Sequence, residues 1–238
     1  MFNIDKKTIY IIIGIIFLIS IANMGTDGLL GILISLPAVI IAITFHEFAH
    51  AYVAYKLGDQ TPMVQGRVNL NPLSHVDPLG LMLLIVAHFG WGRPVQINPN
   101  NFKGKYSISA SEAIVSAAGP IMNFIIAIVS TIIYAVIIKF ADASFALSTA
   151  GELLLTIVNY TIIINIGLGI FNLIPLPPLD GSKILMHFLP YNAKQWFEEK
   201  TQIFYFVFIF LFIFGIAGSI ISPLINVIYV NMISLFSF

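Results

Sequence analysis

The sequence lacks cysteine and carries very little charge. None of its 238 residues is a cysteine, so disulfides, thiolate metal sites and cysteine nucleophiles are excluded. Charged residues make up 9% of the chain and the formal net charge is zero. No basic run is long enough to follow a phosphate backbone, so nucleic acid is not expected as a partner. Any metal site must use nitrogen and oxygen ligands.

Hydrophobic residues make up 58% of the chain, against about 45–50% in a typical globular protein. Several apolar runs reach about 18 residues, the length that a helix needs to cross roughly 30 Å of hydrocarbon. The composition therefore predicts an all-α polytopic membrane protein with about five to six transmembrane helices. The predicted spans are Ile9–Ala22, Leu29–Leu57, Ser109–Ile138, Leu153–Phe171 and Ile203–Ile221, followed by a break at Pro223 and a short final helix, Leu224–Phe238.

The connection between the second and third spans is predicted to contain a short β-hairpin and a re-entrant segment. Val64–Leu70 alternates between apolar and polar residues, and Arg93–Asn98 places Val95 and Ile97 on one face, which favours two short strands. Pro78–Trp91 is apolar but too short to cross the bilayer comfortably. We expect that stretch to enter the membrane and return on the same side.

The second span carries a metal-binding motif. His46-Glu47-Phe48-Ala49-His50 matches the pattern H-E-x-x-H. On a helix the two imidazoles lie one turn apart and about 40° apart around the axis, so both can bind one tetrahedral zinc ion. Glu47 lies to the side, where it can act as a general base. The alternative is a chance match, but three ionisable groups in one apolar span are costly in lipid unless they face a polar site.

A catalytic zinc needs a third protein ligand, and Asp180 is the candidate. It is the only acidic residue between Leu153 and Leu189, and it follows Pro175, Pro177 and Pro178. Irregular backbone at membrane depth is tolerated where it lines a polar cavity or is buried in protein. Asp180 could instead serve only as the N-cap of the next helix, and the two roles do not exclude each other.

Asn172 precedes the same proline-rich stretch, and its side chain has two possible roles. Its side-chain amide is a neutral donor that can stabilise a developing oxyanion in peptide hydrolysis. Alternatively, it hydrogen-bonds backbone groups that Pro175 leaves without a helical partner. The residue type and position leave both roles open.

Taken together, these motifs resemble the site-2 proteases, which are intramembrane zinc metalloproteases. The resemblance rests on four segments: His46–His50, Gly66–Pro72, Ala118-Gly-Pro-Ile-Met-Asn123 and Asn172-Leu-Ile-Pro-Leu-Pro-Pro-Leu-Asp180-Gly181. It implies one Zn²⁺ per chain, with His46, His50 and Asp180 as ligands, Glu47 as catalytic base and Asn172 at the oxyanion. It also implies a core of three helices, here the second, third and fourth spans.

The length of the chain predicts a single integral membrane domain over residues 1–238, and the resemblance implies that it is a metalloprotease with its catalytic core at about residues 29–190. We expect a minimal form without a PDZ or CBS domain, which hydrolyses peptide bonds of transmembrane protein substrates within or near the lipid bilayer. The alternative is a non-enzymatic membrane metal-binding protein or a divalent-cation transporter. A transporter has no evident need for Glu47, a carboxylate beside the histidine pair that does not bind the metal. The oligomeric state and the natural substrate stay open.

The distribution of cations predicts the orientation in the membrane. With Lys6 and Lys7 inside, the predicted spans put only Lys139 outside. The cations that fall inside with the N-terminus are Lys56, Arg67, Arg93, Lys103, Lys105, Lys183, Lys194 and Lys200. By the positive-inside rule, the N-terminus and the active site are expected toward the cytoplasmic side, in a bacterial cell membrane.

Overall fold

The structure is a computed structural model, and it describes Gly14, Ile19, Asn23 and residues 25–87, 92–104 and 106–236. Most of these residues are helical. The helices are, in chain order, α1 (Gly25–Lys56), α2 (Thr61–Val64), α3 (Pro72–His75), α4 (Pro78–Ala87), α5 (Ile108–Phe140), α6 (Ala143–Ala146), α7 (Thr149–Asn172), α8 (Asp180–Phe188), α9 (Tyr191–Glu199), α10 (Thr201–Ile213) and α11 (Ile216–Phe236). The predicted span Ile9–Ala22 lies outside the described residues apart from Gly14 and Ile19.

Within the described ranges, four helices are long and apolar enough to cross a membrane: α1, α5, α7 and α11. Even α11, the shortest of the four with 21 residues, extends over about 32 Å at 1.5 Å per residue, which exceeds the roughly 30 Å of a bilayer core. The second, third and fourth predicted spans correspond to α1, α5 and α7. The protein is an all-α integral membrane protein.

The core consists of α1, α5 and α7, which all pack against one another, while α8 packs on α5 and α11 packs on α7. Ala42, Ala49 and Ala54 of α1 are buried, and such small residues let membrane helices approach closely. Ala127 of α5 meets Ile162 and Ile166 of α7 in a buried apolar cluster. This core holds the C-terminal half of α1 against both neighbouring helices.

The last part of the chain differs from the sequence prediction. The helix was expected to break at Pro223, but the break lies at Gly215, and Pro223 lies within α11. Gly215 has φ +68°, a left-handed conformation that only glycine adopts without strain and that ends α10. Proline removes one helical hydrogen bond, which membrane helices tolerate when other groups satisfy the backbone.

The predicted β-hairpin does not form among the described residues. Val64 ends helix α2, which has Pro62 in its first turn, and Gly66 with φ +66° turns the chain. Residues 93–98 form no regular secondary structure and pair with no strand in the described part of the chain. The nearest backbone pairing is an isolated antiparallel bridge between Val76 and Gly92. The alternating patterns failed because no neighbouring strand pairs with residues 93–98 in the described ranges; side-chain contacts and the Arg93 N–H, which donates to the His75 carbonyl at 2.6 Å, hold them instead. The predicted re-entrant stretch begins with α4.

Candidate metal centre and active site

The C-terminal half of α1 presents both motif histidines to the interior. His46 is 6% exposed and His50 is 9% exposed. Their Nε2 atoms lie 3.0 Å apart, because residues at i and i+4 stand one above the other on a helix. The motif therefore forms one compact pair of imidazoles inside the three-helix core.

Asp180 reaches this pair from a different part of the chain. It is the first residue of α8, and its Oδ2 atom lies 3.2 Å from Nε2 of His46 and 3.2 Å from Nε2 of His50. A Cβ on Gly181 would lie 2.5 Å from the carbonyl oxygen of Ile174, so a glycine is needed for α8 to fold back against the end of α7. The N-cap of α8 is Leu179, and no side chain caps the helix.

The three side chains fit a tetrahedral metal ion. Their donor atoms lie 3.0–3.2 Å apart, close to the roughly 3.3 Å edge of a tetrahedron whose metal–ligand bonds are about 2.0 Å. The Oδ2 atom of Asp180 is buried and has no hydrogen-bond partner among the described residues. A buried carboxylate oxygen is costly without a partner, and a cation would supply that partner.

Hydrogen bonds on the far side of each ring set its orientation. Nδ1 of His50 lies 2.7 Å from the carbonyl oxygen of Val115. A carbonyl can only accept, so Nδ1 of His50 carries the proton and the Nε2 lone pair points toward Asp180. Nδ1 of His46 lies 2.7 Å from Oδ1 of Asn123. Both rings are therefore prepared to bind a metal through Nε2.

Hydrogen bonds fix the orientation of the Asn123 side-chain amide, which contacts His46. The Nδ2 group of Asn123 donates to the Ala42 carbonyl at 3.1 Å and to Oδ1 of Asn165 at 2.9 Å. Asn165 in turn donates to the Thr161 carbonyl at 2.8 Å. Because both N–H bonds of Asn123 are used, its Oδ1 must face His46 and accept the Nδ1 proton. The two asparagines are fully buried, and together they link α1, α5 and α7.

Gly119 lets α5 pass directly beside the histidines. A Cβ at this position would lie 2.6 Å from Cε1 and 2.7 Å from Nε2 of His46, and it would also collide with His50. Any side chain here would displace the imidazoles, so the glycine is required by close approach rather than by backbone conformation.

Glu47 lies beside the histidines at a cavity of about 400 Å³. Its Oε2 atom accepts the backbone N–H of Val95 at 3.1 Å, which holds the carboxylate toward residues 92–98. The cavity is lined by the two histidines and by Glu47, Val95, Ile97, Phe171, Asn172 and Asp180, among others. The Glu47 carboxylate, three candidate metal ligands and apolar side chains thus line one cavity.

Asn172 lines the same cavity, as the proposed oxyanion role requires. Its Nδ2 group donates to the Leu168 carbonyl at 3.0 Å, a contact one turn back in α7 and not with the Phe171 carbonyl, which a helical Pro175 would leave without a donor. The side-chain amide has a second N–H, so the contact with Leu168 leaves one donor for a substrate.

Sequence reasoning missed some of the groups that complete this site. Asn165 could have been found, because an amide within an apolar span signals an interhelical hydrogen bond. The carbonyl of Val115 and the N–H of Val95 carry no sequence signal, since every residue except proline has these groups.

Comparison with known proteins agrees with this geometry. The model of peptidase family M50 matches residues 34–215. YwhC of Bacillus subtilis, named as a zinc metalloprotease, is 36% identical over 198 residues, which cover 83% of this chain and 88% of YwhC. Rip2 of Mycolicibacterium smegmatis, also named as a zinc metalloprotease, is 30% identical over 167 residues, 66% of this chain and 60% of Rip2. No solved structure matches significantly. The family match extends over every residue of the candidate site, and the chain belongs to peptidase family M50, the site-2 proteases.

Proposed function

We propose that His46, His50 and Asp180 bind the zinc ion of this intramembrane zinc metalloprotease and that Glu47 is its general base. Membership of the M50 family supports the enzyme class and disfavours a cation transporter. One observation carries the assignment of residues: three buried donor atoms lie 3.0–3.2 Å apart beside a carboxylate, within the membrane-spanning core.

Glu47, Val95 and Asn172 would each have a separate role in peptide hydrolysis. Zinc bound at this site supplies a Lewis acid that polarises the scissile carbonyl and activates water for attack. Glu47 takes the proton from the attacking water and later delivers it to the leaving amine. The Val95 N–H at 3.1 Å keeps the Glu47 carboxylate at the cavity. The second N–H of Asn172 would donate to the oxyanion that develops on the carbonyl oxygen.

The cavity suits an unwound substrate. A transmembrane substrate arrives as a helix whose carbonyls are hydrogen-bonded within the helix, so a short segment must unwind before attack. Val95, Ile97, Leu168 and Phe171 give the cavity an apolar lining. We propose that the unwound segment lies along residues 93–98, which form no regular secondary structure of their own, and adds to them as a strand would.

The positions of three lysines indicate how the enzyme is oriented in the membrane. The end of α1, the start of α5 and the end of α7 meet at the site, so Lys56 and Lys183 lie toward the same end of the core, with Lys139 at the other end of α5. This arrangement supports placing the site and the N-terminus toward the cytoplasm. We propose that residues 1–238 form one domain, with about five to six spans and the catalytic core within about residues 29–190.

Metal removal tests this function. Purified protein in detergent or liposomes should contain one zinc ion per chain and should cleave a model transmembrane substrate. A chelator should abolish cleavage, and stoichiometric zinc should restore it, because the Lewis acid and the activated water are lost and regained together. Cleavage that continues after metal analysis shows complete removal of zinc would refute the metalloprotease mechanism.

Asn123→Leu is expected to weaken zinc binding while the fold is retained. The leucine keeps the approximate volume but cannot accept the His46 proton, so the ring is no longer held with Nε2 toward Asp180. Loss of such an outer-shell partner costs about 10- to 100-fold in metal affinity. Competition with a fluorescent chelator measures the affinity. Asn159→Leu is the matched control, since Asn159 bonds Tyr229 rather than the site. Equal zinc affinities in the two variants would contradict the role of Asn123.

A further inference from the structure

We propose that Arg67 and Asp59 are positioning residues that hold residues 93–98, here called the strap, as one wall of the active-site cavity and keep Val95 in contact with Glu47. The inference rests on the proposed function, in which Glu47 is the general base. It concerns two charged residues that lie in the connection between α1 and α5, outside the candidate metal ligands.

Arg67 holds the N-terminal end of the strap. Its side chain is buried, with the residue 6% exposed, and the guanidinium donates to the carbonyl oxygens of Arg93 and Pro94 at 3.3 Å each. It also contacts the carbonyl of Ser74. No carboxylate lies within ion-pair distance of Arg67 among the described residues. Burying a guanidinium without a counter-ion is costly, and here its donors are directed to backbone carbonyls, two of them in the strap.

Asp59 holds the C-terminal end of the strap. It is fully buried, and its Oδ2 atom accepts the backbone N–H of Asn98 at 2.7 Å. Its Oδ1 atom accepts Nδ2 of Asn101 at 3.0 Å and the hydroxyl of Thr61 at 2.6 Å. Burial opposes the charged form of Asp59, but these hydrogen bonds outweigh it and hold the pKa of the carboxyl below its ordinary value. The carboxylate is therefore a permanent acceptor at neutral pH.

The part of the strap between these two contacts forms the active-site wall. Val95 donates its N–H to Glu47 at 3.1 Å, and Val95 and Ile97 line the cavity. No strand pairs with the strap in the described ranges, so a sheet does not maintain its conformation. The two buried charges do so instead, together with the Arg93 N–H, which donates to the His75 carbonyl at 2.6 Å. Loosening either end would disturb both the wall that contacts the substrate and the hydrogen bond that orients Glu47.

Spin labelling measures the strap directly, because the natural chain has no cysteine and a single one can be introduced at the exposed residue Gln96. Asp59→Asn removes the charge with little change of volume, and Arg67→Gln removes the guanidinium together with its contacts to the strap. Arg67→Lys keeps the charge, but one ammonium group does not reproduce the planar fork that contacts both carbonyls. Lys103→Gln is the control, since it removes an exposed cation from the same connection but outside the strap.

We expect the label at Gln96 to become more mobile in Arg67→Gln and Asp59→Asn, and less so in Arg67→Lys. On proteins without the label, KM for a model transmembrane substrate should rise about tenfold, equivalent to about 1.4 kcal/mol, and kcat should fall. Zinc content should stay at the wild-type level, because the candidate ligands lie on α1 and α8. Lys103→Gln should leave the mobility of the label, KM and zinc content unchanged.

Unchanged mobility of the label in both Arg67→Gln and Asp59→Asn would overturn the proposal, and so would a mobile strap with unchanged KM and kcat. If one of these variants fails to fold, the variant at the opposite end of the strap and Arg67→Lys decide the question. Failure of the proposed function has a different signature. In that case the wild-type protein itself would bind no zinc and cleave nothing, while the spin label would still report whether Arg67 and Asp59 hold the strap.

Discussion

Glu47→Gln is expected to abolish cleavage of a transmembrane substrate while zinc stays bound. Glutamine keeps the shape of the side chain, and its oxygen can still accept the Val95 N–H that Glu47 accepts at 3.1 Å. It cannot take a proton from water at neutral pH. General acid–base catalysis by one group contributes about 10²- to 10⁴-fold, and the loss should reach at least this range because Glu47 serves both proton transfers. Initial rates at saturating substrate, together with zinc content, measure the effect.

The matched control for this variant is Glu152→Gln. Glu152 lies in the first turn of α7, and the site lies at the opposite end of that helix, so the same change of carboxylate to amide should leave the rate unaltered. A Glu47→Gln protein that cleaves at nearly the wild-type rate would show that another group is the base. Loss of zinc in Glu47→Gln would instead assign Glu47 to metal binding.

His46→Ala, His50→Ala and Asp180→Ala should each remove most of the zinc and all measurable cleavage. Each change takes away one of three protein ligands, so the loss of affinity should exceed the about 10- to 100-fold expected for an outer-shell partner. Metal analysis after equilibration at a buffered free zinc concentration gives the occupancy. The site is buried within the core, so each variant should be checked for helical content and monodispersity before its zinc content is compared.

Asp142→Ala is the control for Asp180→Ala, because Asp142 is an exposed acidic residue that caps the short helix α6. It should retain one zinc ion per chain. Full zinc occupancy in Asp180→Ala would remove Asp180 from the ligand set and leave its contacts of 3.2 Å with both histidines without a role in metal binding.

Much of the site could be predicted from the sequence because its chemistry is local or compositional. The spacing of His46 and His50 is a property of any α-helix, so their shared face follows without tertiary information. Asp180 stands out because an acidic residue in apolar, proline-broken sequence needs a polar environment. The structure brings these three side chains together, as the sequence predicted. The three core helices were likewise predictable, since each is a long apolar run.

The predictions were wrong where they rested on a short sequence pattern that is compatible with more than one local structure. Alternation over Val64–Leu70 indicated a strand, but alternation stabilises a strand only when a neighbouring strand accepts its hydrogen bonds. Pro223 was expected to break a helix, yet Gly215 does so, because a left-handed φ redirects the chain whereas a proline in a membrane helix removes a single hydrogen bond.

The sequence by itself therefore determined the membrane-spanning core and the residues proposed to bind zinc, which depend on residue type and regular spacing. The class of enzyme followed from its resemblance to the site-2 proteases. Only the tertiary structure decided how those residues are oriented. Asn123 meets His46 across 77 positions of sequence, and Val95 meets Glu47 across 48. The groups that complete the site include backbone carbonyls and N–H groups, which are the same in nearly every residue. Their role arises from the packing that brings them to the histidines and to Glu47.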